Sequence, residues 1–492
     1  MSNRISYTCT YIRWESAKWK NVLMIRWAVI YFLLFSVLNS QDKQKIKIEE
    51  YSLEKCLLIA LKNNSAIKKF KIDKKITKME HQVSNAIFEW NLNSTSVYTD
   101  DPDKYSQTLS TTKSFQTGTN IVLSGNLSET SGLITDDKDS VVSFSITQKL
   151  LAGSSKKENS FPIYRTRLKD EQARNQLDVS IRDVLFSVTR NFYQYIKSVE
   201  TIKINENALK QAKKFLSRVV DFKDAGRGTI LDVATAEVQV ASREESILRS
   251  KTIIQNSLDQ LRRSMGLDID KEINISKKIS LGVTMPKMNY EFSLKHAMRY
   301  RPDYKNSLIS MELIQRELEI SSKGKKPNLS VTYALSVNET GSSYDSISKF
   351  SDRPEHSLTF NFSMPLFRKR KMANYEIKKF ILAKEKIKLW DKQQDIKLEV
   401  KKVLRLIDEK IKQIEVQEKK VKIETKRVES FEIRLKNGLI DSLEVTRAYD
   451  DLDSARTDLI NSKLNLKILI AEYHKVIGSE PTFIIKSGKQ KK

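Results

Sequence analysis

Turn formers are scarce in this chain: 492 residues hold 13 glycines and 8 prolines. Several compact domains with ordinary loops would use more, so a string of small globular units is disfavoured. Cysteine is nearly missing. Cys9 and Cys56 are the two present, too far apart to suggest a metal site or a disulfide framework. The four histidines are scattered, and no His-Glu-x-x-His, P-loop, Gly-x-Ser-x-Gly or Cys-x-x-Cys occurs. The many carboxylates fall on solvated helix positions. Nothing supports an enzyme, and no cofactor or metal is expected. Long apolar runs are also lacking, with one exception near the start. Trp27 to Leu38 is apolar, preceded by Lys18, Lys20 and Arg26 and followed by Asn39-Ser40-Gln41. Its roughly 12 apolar residues fall short of the about 20 that a spanning helix needs. The segment reads as a secretory signal peptide over residues 1–40, with Met24 an alternative start. An uncleaved anchor ranks second, because Leu38 stands where a small residue is expected for cleavage.

Charge is abundant. Charged residues make up 30% against 39% hydrophobic, and the formal net charge is +26. That balance suits long amphipathic helices better than one large core. A nucleic-acid footprint should be clustered. Here Lys and Glu are interspersed along helices, as from Glu415 to Lys426, so no nucleic acid is expected as a partner.

The chain repeats itself. Gly226-Arg227-Gly228-Thr229-Ile230-Leu231-Asp232-Val233 aligns with Gly438-Leu439-Ile440-Asp441-Ser442-Leu443-Glu444-Val445 at an offset of 212 residues. The same offset pairs Val188 with Val400, Ile202 with Ile414, Ala236 with Ala448 and Gly266 with Gly478. One register thus holds across a helix, a turn and a second helix. The start is duplicated too: Tyr51-Ser52-Leu53-Glu54 returns as Phe292-Ser293-Leu294-Lys295, and Ser52 and Ser293 are read as helix caps. Tyr51 to about Phe88 follows a helical period.

Between the helical parts lie segments rich in Ser, Thr, Asn and Gly. Val142, Phe144 and Ile146 alternate with Ser143, Ser145 and Thr147; Ile121, Leu123 and Leu127 alternate less cleanly. The second copy is sharper. Leu329, Val331, Tyr333, Leu335 and Val337 form one apolar face, and Leu358, Phe360, Phe362 and Met364 another, with a polar loop at Asn338–His356 between them. Alternation of apolar with small polar residues means two environments. A half-buried sheet in water is one reading. A transmembrane β-barrel, with Leu358, Phe360 and Phe362 against lipid, is the other. The secretion signal and the lack of a short covering helix favour the barrel. Four strands are well formed. Whether Trp90–Leu151 adds a further hairpin or a larger surface loop stays open.

Each β region precedes a helix of about 65 residues, roughly 95–100 Å long at about 1.5 Å per residue. The first is expected from Pro162 to Ala225, the second from Lys371 to Asn437. Val400, Ile407, Ile414, Val421, Val428 and Leu435 are spaced by seven, as are Ile181, Val188, Tyr195, Ile202, Leu209 and Leu216. That is a coiled-coil seam. The returning helices and the helix at Tyr51–Phe88 are each about 38 residues, so two of them can line up beside one long helix.

This layout resembles the TolC-like outer membrane efflux protein family. The likeness rests on Tyr51-Ser52-Leu53 and Phe292-Ser293-Leu294, and on the step Arg301-Pro302-Asp303. It rests also on the strand exit Ser363-Met364-Pro365-Leu366-Phe367, with its weaker twin Thr147 to Leu151, and on the glycine turns. Their order and duplication carry it from about Tyr51 to Gly478. The implied fold is mostly α with a small transmembrane β-barrel portion. A duplicated helix–strand–strand–helix–helix repeat forms a long α-helical coiled-coil barrel closed by trimerisation. The expected segments are a signal (1–40), a first repeat (41–266), a linker (267–290), a second repeat (291–478) and a basic tail (479–492). In the first repeat, strands fall within 90–150 and the helical hairpin spans 160–266. In the second, strands fall within 328–364 and the hairpin spans 371–478. The resemblance implies a homotrimer; physics independently demands only some oligomer, since four strands cannot enclose an open lumen.

The resemblance implies a passive duct of the outer membrane for small molecules or proteins, its helices in the periplasm. Its partners would be outer membrane lipid, a periplasmic adaptor protein and an inner-membrane pump of RND or ABC type. By motif position Gly226 and Gly438 form the tip that contacts the adaptor. Glu444 takes the first acidic position of the family's pore constriction. Arg447 stands at the second, a departure from an acidic ring. A helix N-terminus favours an acid such as Glu444 in any case. The alternative function is a basic coiled-coil protein, structural or nucleic-acid-binding, for which the signal and the two-faced strands have no use.

Overall fold

The computed structural model describes residues 50–100, 103–131, 136–276, 289–341 and 354–479. The expected signal peptide, the centre of the linker, the crest of the Asn338–His356 loop and nearly all of the basic tail lie outside the described residues.

A small unit is a parallel bridge between β1 (Glu50–Tyr51) and β6 (Asn274–Ile275). The Ser276 amide donates to the Tyr51 carbonyl at 3.1 Å.

The larger unit holds both repeats. The first repeat runs α1 (Leu53–Asn63), α2 (Ser65–Ala86), β2 (Asn91–Asp100), β3 (Asp103–Ser114), β4 (Thr119–Ser131) and β5 (Asp136–Lys149). It continues with α3 (Lys156–Asn159), α4 (Phe161–Asp224) and α5 (Ile230–Met265). The second repeat runs α6 (Tyr290–Tyr300), α7 (Pro302–Lys323), β7 (Asn328–Gly341), β8 (Glu355–Ser363), α8 (Lys369–Lys436) and α9 (Ser442–Val476). The long helices, 64 and 68 residues, end within a residue of the expected glycine turns.

The helix expected over Tyr51–Phe88 is two helices. Asn64 breaks it with ψ 130; its side chain accepts from the Ala66 amide at 2.9 Å and donates to the Ser264 carbonyl at 2.8 Å. One residue thus ends α1, caps α2 and ties both to the end of α5. In the second copy the break is at Arg301, whose extended backbone (ψ 121) is what a following proline favours, and Pro302 opens α7. Ser52 caps α1, accepting from Lys55 N at 3.3 Å. Ser293 does not cap α6. Asn289 does, and Ser293 lies one turn in, fully buried and hydrogen-bonded to the Tyr473 hydroxyl at 2.8 Å. The helix begins earlier than its twin because Asn289 caps it, accepting from the Glu291 amide at 2.9 Å, while the Ser293 hydroxyl is engaged by Tyr473.

Packing repeats as the sequence does. α1 and α2 lie end to end along α4, and α6 and α7 along α8; α5 returns on α4, and α9 on α8. The seam buries Val188 and Tyr195 in α4, and Val400, Ile407 and Val428 in α8. The returning stripes bury Val445, Leu452, Leu466 and Tyr473, with Ala448, Ala455 and Ser462 beside them. The two repeats join where α4 packs on α7 and α9.

Candidate membrane wall and hairpin tips

One antiparallel six-stranded sheet unites both repeats, in the order β2-β3-β4-β5-β7-β8. The four strands legible in the sequence are present, and Trp90–Leu151 holds an extra hairpin, β2–β3. Register carries each apolar stripe onto the next. Leu123, Phe144 and Leu335 form one row across β4, β5 and β7; Ile121, Ile146, Tyr333 and Leu358 form the next, across β8 as well. Phe360 opposes Val331, and Phe362 opposes Leu329. Leu358, Phe360 and Phe362 are 60%, 66% and 63% exposed. Asn361, Thr359 and Ser357 line the other face opposite Ser330, Thr332 and Ala334. That face bonds across strands, with Ser124 to Ser143 at 2.7 Å and Thr147 to Thr332 at 2.9 Å. Among the described residues no helix packs along either face.

An uncovered apolar face of this extent is costly in water and at home in lipid. At the strand ends nearest the helices stand exposed Trp90, Phe115 and Phe367, with Lys113 over the rings of Trp90 and Phe115 at 5.3 and 5.4 Å. Aromatics with basic neighbours mark a membrane–water boundary. Among the described residues no helix is long and apolar enough to cross a membrane.

At the far ends of α4 and α8 the two glycine turns lie side by side. Gly226 and Gly438 adopt φ of 71° and 70°. The amides of Arg227 and Leu439 reach back to the carbonyls of Phe222 and Arg434 at 2.8 and 2.9 Å, which satisfies the ends of the long helices. Thr229 and Asp232 form a capping box that starts α5, and Asp441 caps α9 through the Glu444 amide at 2.9 Å. The Ser442 hydroxyl donates to Asp232 at 2.6 Å and links one hairpin to the other. That bond, followed by those from Thr229, holds the Asp232 carboxyl below the usual range. A cavity of about 170 Å³ lies between the turns, walled by Phe222, Arg227, Asp232, Leu435, Ile440 and Ser442. Glu444 and Arg447 are exposed on the first turns of α9, and among the described residues no ion pair joins them.

Residues that the sequence reading passed over clasp the hairpins just behind the tips. Glu432 of α8 receives both the Tyr449 hydroxyl of α9 and, at 3.3 Å, Arg218 of α4. Arg243 of α5 reaches Asp450 and, at 3.3 Å, Asp453 of α9, while Gln239 donates to Asp450 at 2.7 Å. Burial pushes the Asp453 carboxyl up, against the pull of Arg243 and Arg456. Under the clasp an apolar cluster of Phe215, Val219, Ala236 and Val445, with Phe431 and Leu435 of α8 packed against it, joins all four helices. Each clasp residue alone looks like a solvated charge, and only the repeat-to-repeat contact pairs them.

Residues 297–478 match the outer membrane efflux protein family. The match lies within the second repeat and covers less than half of the chain. No curated protein matches it. Solved outer membrane channels share its fold. CusC is 13% identical with a TM-score of 0.68, covering 88% of this chain and 93% of that one. The Campylobacter jejuni channel CmeC is 14% identical with a TM-score of 0.67, covering 89% of each. VceC of Vibrio cholerae is 13% identical with a TM-score of 0.66, covering 87% and 96%. At these identities the likeness is one of fold.

In this chain the Arg301-Pro302-Asp303 step is a structural joint. Arg301 binds Asp303 with two bonds, at 3.0 and 2.7 Å, reaches Glu399 of α8, and donates to the Val476 carbonyl of α9 at 3.3 Å. Lys392 meets Asp303 at 2.8 Å. Burial works to raise the Asp303 carboxyl, but Arg301 and Lys392 outweigh it and hold it well below the carboxylate range. The joint fixes α6, α7, α8 and α9 at one point. Among the described residues no cluster of His, Cys, Asp and Glu could hold a metal.

Proposed function

We propose that the chain is the outer membrane duct of an export system, a passive conduit for small molecules or proteins. The sheet spans the outer membrane and the helices stand in the periplasm. A periplasmic adaptor meets the tips at Gly226 and Gly438, and an inner-membrane pump of RND or ABC type supplies the energy. Glu444 and Arg447 line the constriction. The observation that carries this reading is the continuous uncovered apolar face of β4, β5, β7 and β8. A basic nucleic-acid-binding coiled coil has no use for such a face.

The duplication supports a ring of copies. α7 contacts its own long helix α8 and also the other repeat's long helix, α4. Its twin α2 contacts α4 alone among the long helices of its chain. The contact that α2 lacks is one to α8 of a neighbouring copy. Both faces are apolar and open: Ile72, Ile76, Met79 and Val83 on α2, and Ile377, Phe380, Ile387 and Trp390 on α8. A contact between two different patches closes into a ring when the rotation fits. Three copies are the number the family resemblance implies.

The test is fractionation followed by reconstitution. The protein should sediment with outer membranes, and a tag in the expected Asn338–His356 loop should be labelled on intact cells. Purified oligomers should conduct ions across planar bilayers. Recovery in the soluble fraction, or labelling only after lysis, would overturn the reading.

A further inference from the structure

The strand count breaks the duplication. β4–β5 and β7–β8 are the twin hairpins, and the junction between repeats is β5 on β7. By the same symmetry the junction between copies should be β8 on the neighbour's β4. That edge of β4 is already filled, because β3 pairs with it over eleven residues from Lys104↔Thr130 to Ser114↔Asn120. The sheet's open edges are β2 and β8. A barrel that crosses lipid leaves no edge unpaired, since no water is there to hydrogen-bond a free amide or carbonyl.

Resting on the proposed membrane reading, we infer that hairpin β2–β3 is part of the barrel wall. β8 of one copy pairs with β2 of the next, and three copies of six strands close an eighteen-stranded barrel. Polarity allows it. Six strands that all alternate place β8 antiparallel to an incoming β2.

The hairpin also carries its own membrane boundaries. Trp90 and Phe115 stand at its helix end, on the same alternating face as Leu92 and Leu109. On that face, Tyr98 opposes Tyr105 near the other end. From Trp90 to Tyr98 is eight positions, or about 26 Å at about 3.3 Å per residue, close to the height of a barrel's apolar band. The polar residues between these aromatics satisfy one another. Gln107 donates to Ser94 at 2.7 Å and accepts from Ser96 and, at 3.1 Å, from Tyr105. The opposite face is polar from Asn91 to Thr95 and from Ser106 to Thr112, as a lumen face should be. On that opposite face Asn126 of β4 donates to Thr108 at 2.7 Å and to Ser106 at 3.1 Å. Because barrel diameter grows roughly linearly with strand number, the lumen would be about half as wide again as one built from four strands per copy.

Disulfide trapping tests this in the full chain. Single cysteines at Asn93, Thr95 or Val97 on β2 are combined with single cysteines at Ser357, Thr359 or Asn361 on β8, with Cys9→Ser. Cys56 stays in place, since it is buried and its thiol is pushed up to about 12. On non-reducing gels at least one pairing should deplete the monomer band in favour of bands at two and three times its mass. A second set pairs the β8 cysteines with Asn120, Val122 or Ser124 on β4. This set should link copies only after residues 91–116 are deleted. Two results would overturn the inference. One is β8–β4 linkage between full-length copies, which puts the hairpin outside the wall. The other is a β8–β2 disulfide confined to the monomer band, which closes the sheet within one chain. A protein absent from the outer membrane would instead fail the fractionation test, so the two readings are separable.

Discussion

Glycines with the same backbone do different work in this chain. Gly438 has φ 70° and open space where a Cβ would go; Gly266 has the same φ, but a Cβ there would stand 2.7 Å from the backbone of Asn63 and Asn64. Gly438→Ala should cost about 1–2 kcal/mol from the left-handed backbone alone. Gly266→Ala should cost clearly more, because the neighbour is backbone that cannot swing away. Urea melts of the purified protein check the order, and equal midpoints would remove the close approach as a determinant. Asp303 gives a pH signature. Its folded pKa is depressed, so its contribution is complete above the unfolded value of about 3.9 and is lost as pH falls through the lower folded value. Asp303→Asn should destabilise by about 1–3 kcal/mol near neutral pH by leaving Arg301 short of an acceptor. The gap to the parent should shrink below about pH 4. Glu444 and Arg447 are exposed and form no ion pair with each other among the described residues, so any compensation between them must act around a ring of copies. Glu444→Ala should move bilayer ion selectivity toward anions and raise basal conductance, and Arg447→Ala should move selectivity the other way. Unchanged selectivity in both would exclude them from the pore.

Elements turn these residues into surfaces. β8 exposes Phe360 and Phe362 on one face and Asn361 on the other, and the uncovered sheet makes the two faces inequivalent. An arginine on the lipid face costs about 2–4 kcal/mol at mid-membrane and little on the lumen face. Phe360→Arg should therefore deplete the membrane-inserted oligomer, while Asn361→Arg should be tolerated. Heat-modifiable mobility on gels reads the difference, and equal tolerance would return the sheet to water. The helical hairpins behave otherwise. Their long seams would bend little, so the four-helix cluster under the tips and the Arg243–Asp453 and Glu432–Tyr449 links decide how tightly one hairpin holds the other.

The whole molecule is a duplicated object whose two copies do not make the same contacts. α7 has two long-helix neighbours and α2 has one, although the sequence makes them twins. Val83, in the open apolar face of α2, is 70% exposed. Val83→Glu should weaken association by at least tenfold, about 1.4 kcal/mol, while Val83→Leu should not. Crosslinking in detergent measures both. An oligomer unaffected by Val83→Glu would place the neighbour elsewhere.

The sequence by itself determined the elements whose signals are local and periodic. The seven-residue seams, the glycine turns and the alternation on β4, β5, β7 and β8 were all legible, since 3.6- and 2-residue periods follow from which face is buried. Tertiary structure decided the rest. β2 and β3 carry polar residues such as Ser, Thr and Asn on both faces, so no alternation announced them, and pairing of β3 with β4 and of β2 with β3 makes them strands. The break at Asn64 and the cap at Asn289 went unread because several polar residues could cap, and the partner that chooses among them, Ser264 or Tyr473, lies nearly two hundred residues away. The clasp of Asp232, Glu432, Asp450 and Asp453 was invisible for the same reason. A charge on a helix looks solvated until the fold sets another helix against it, and that juxtaposition is non-local.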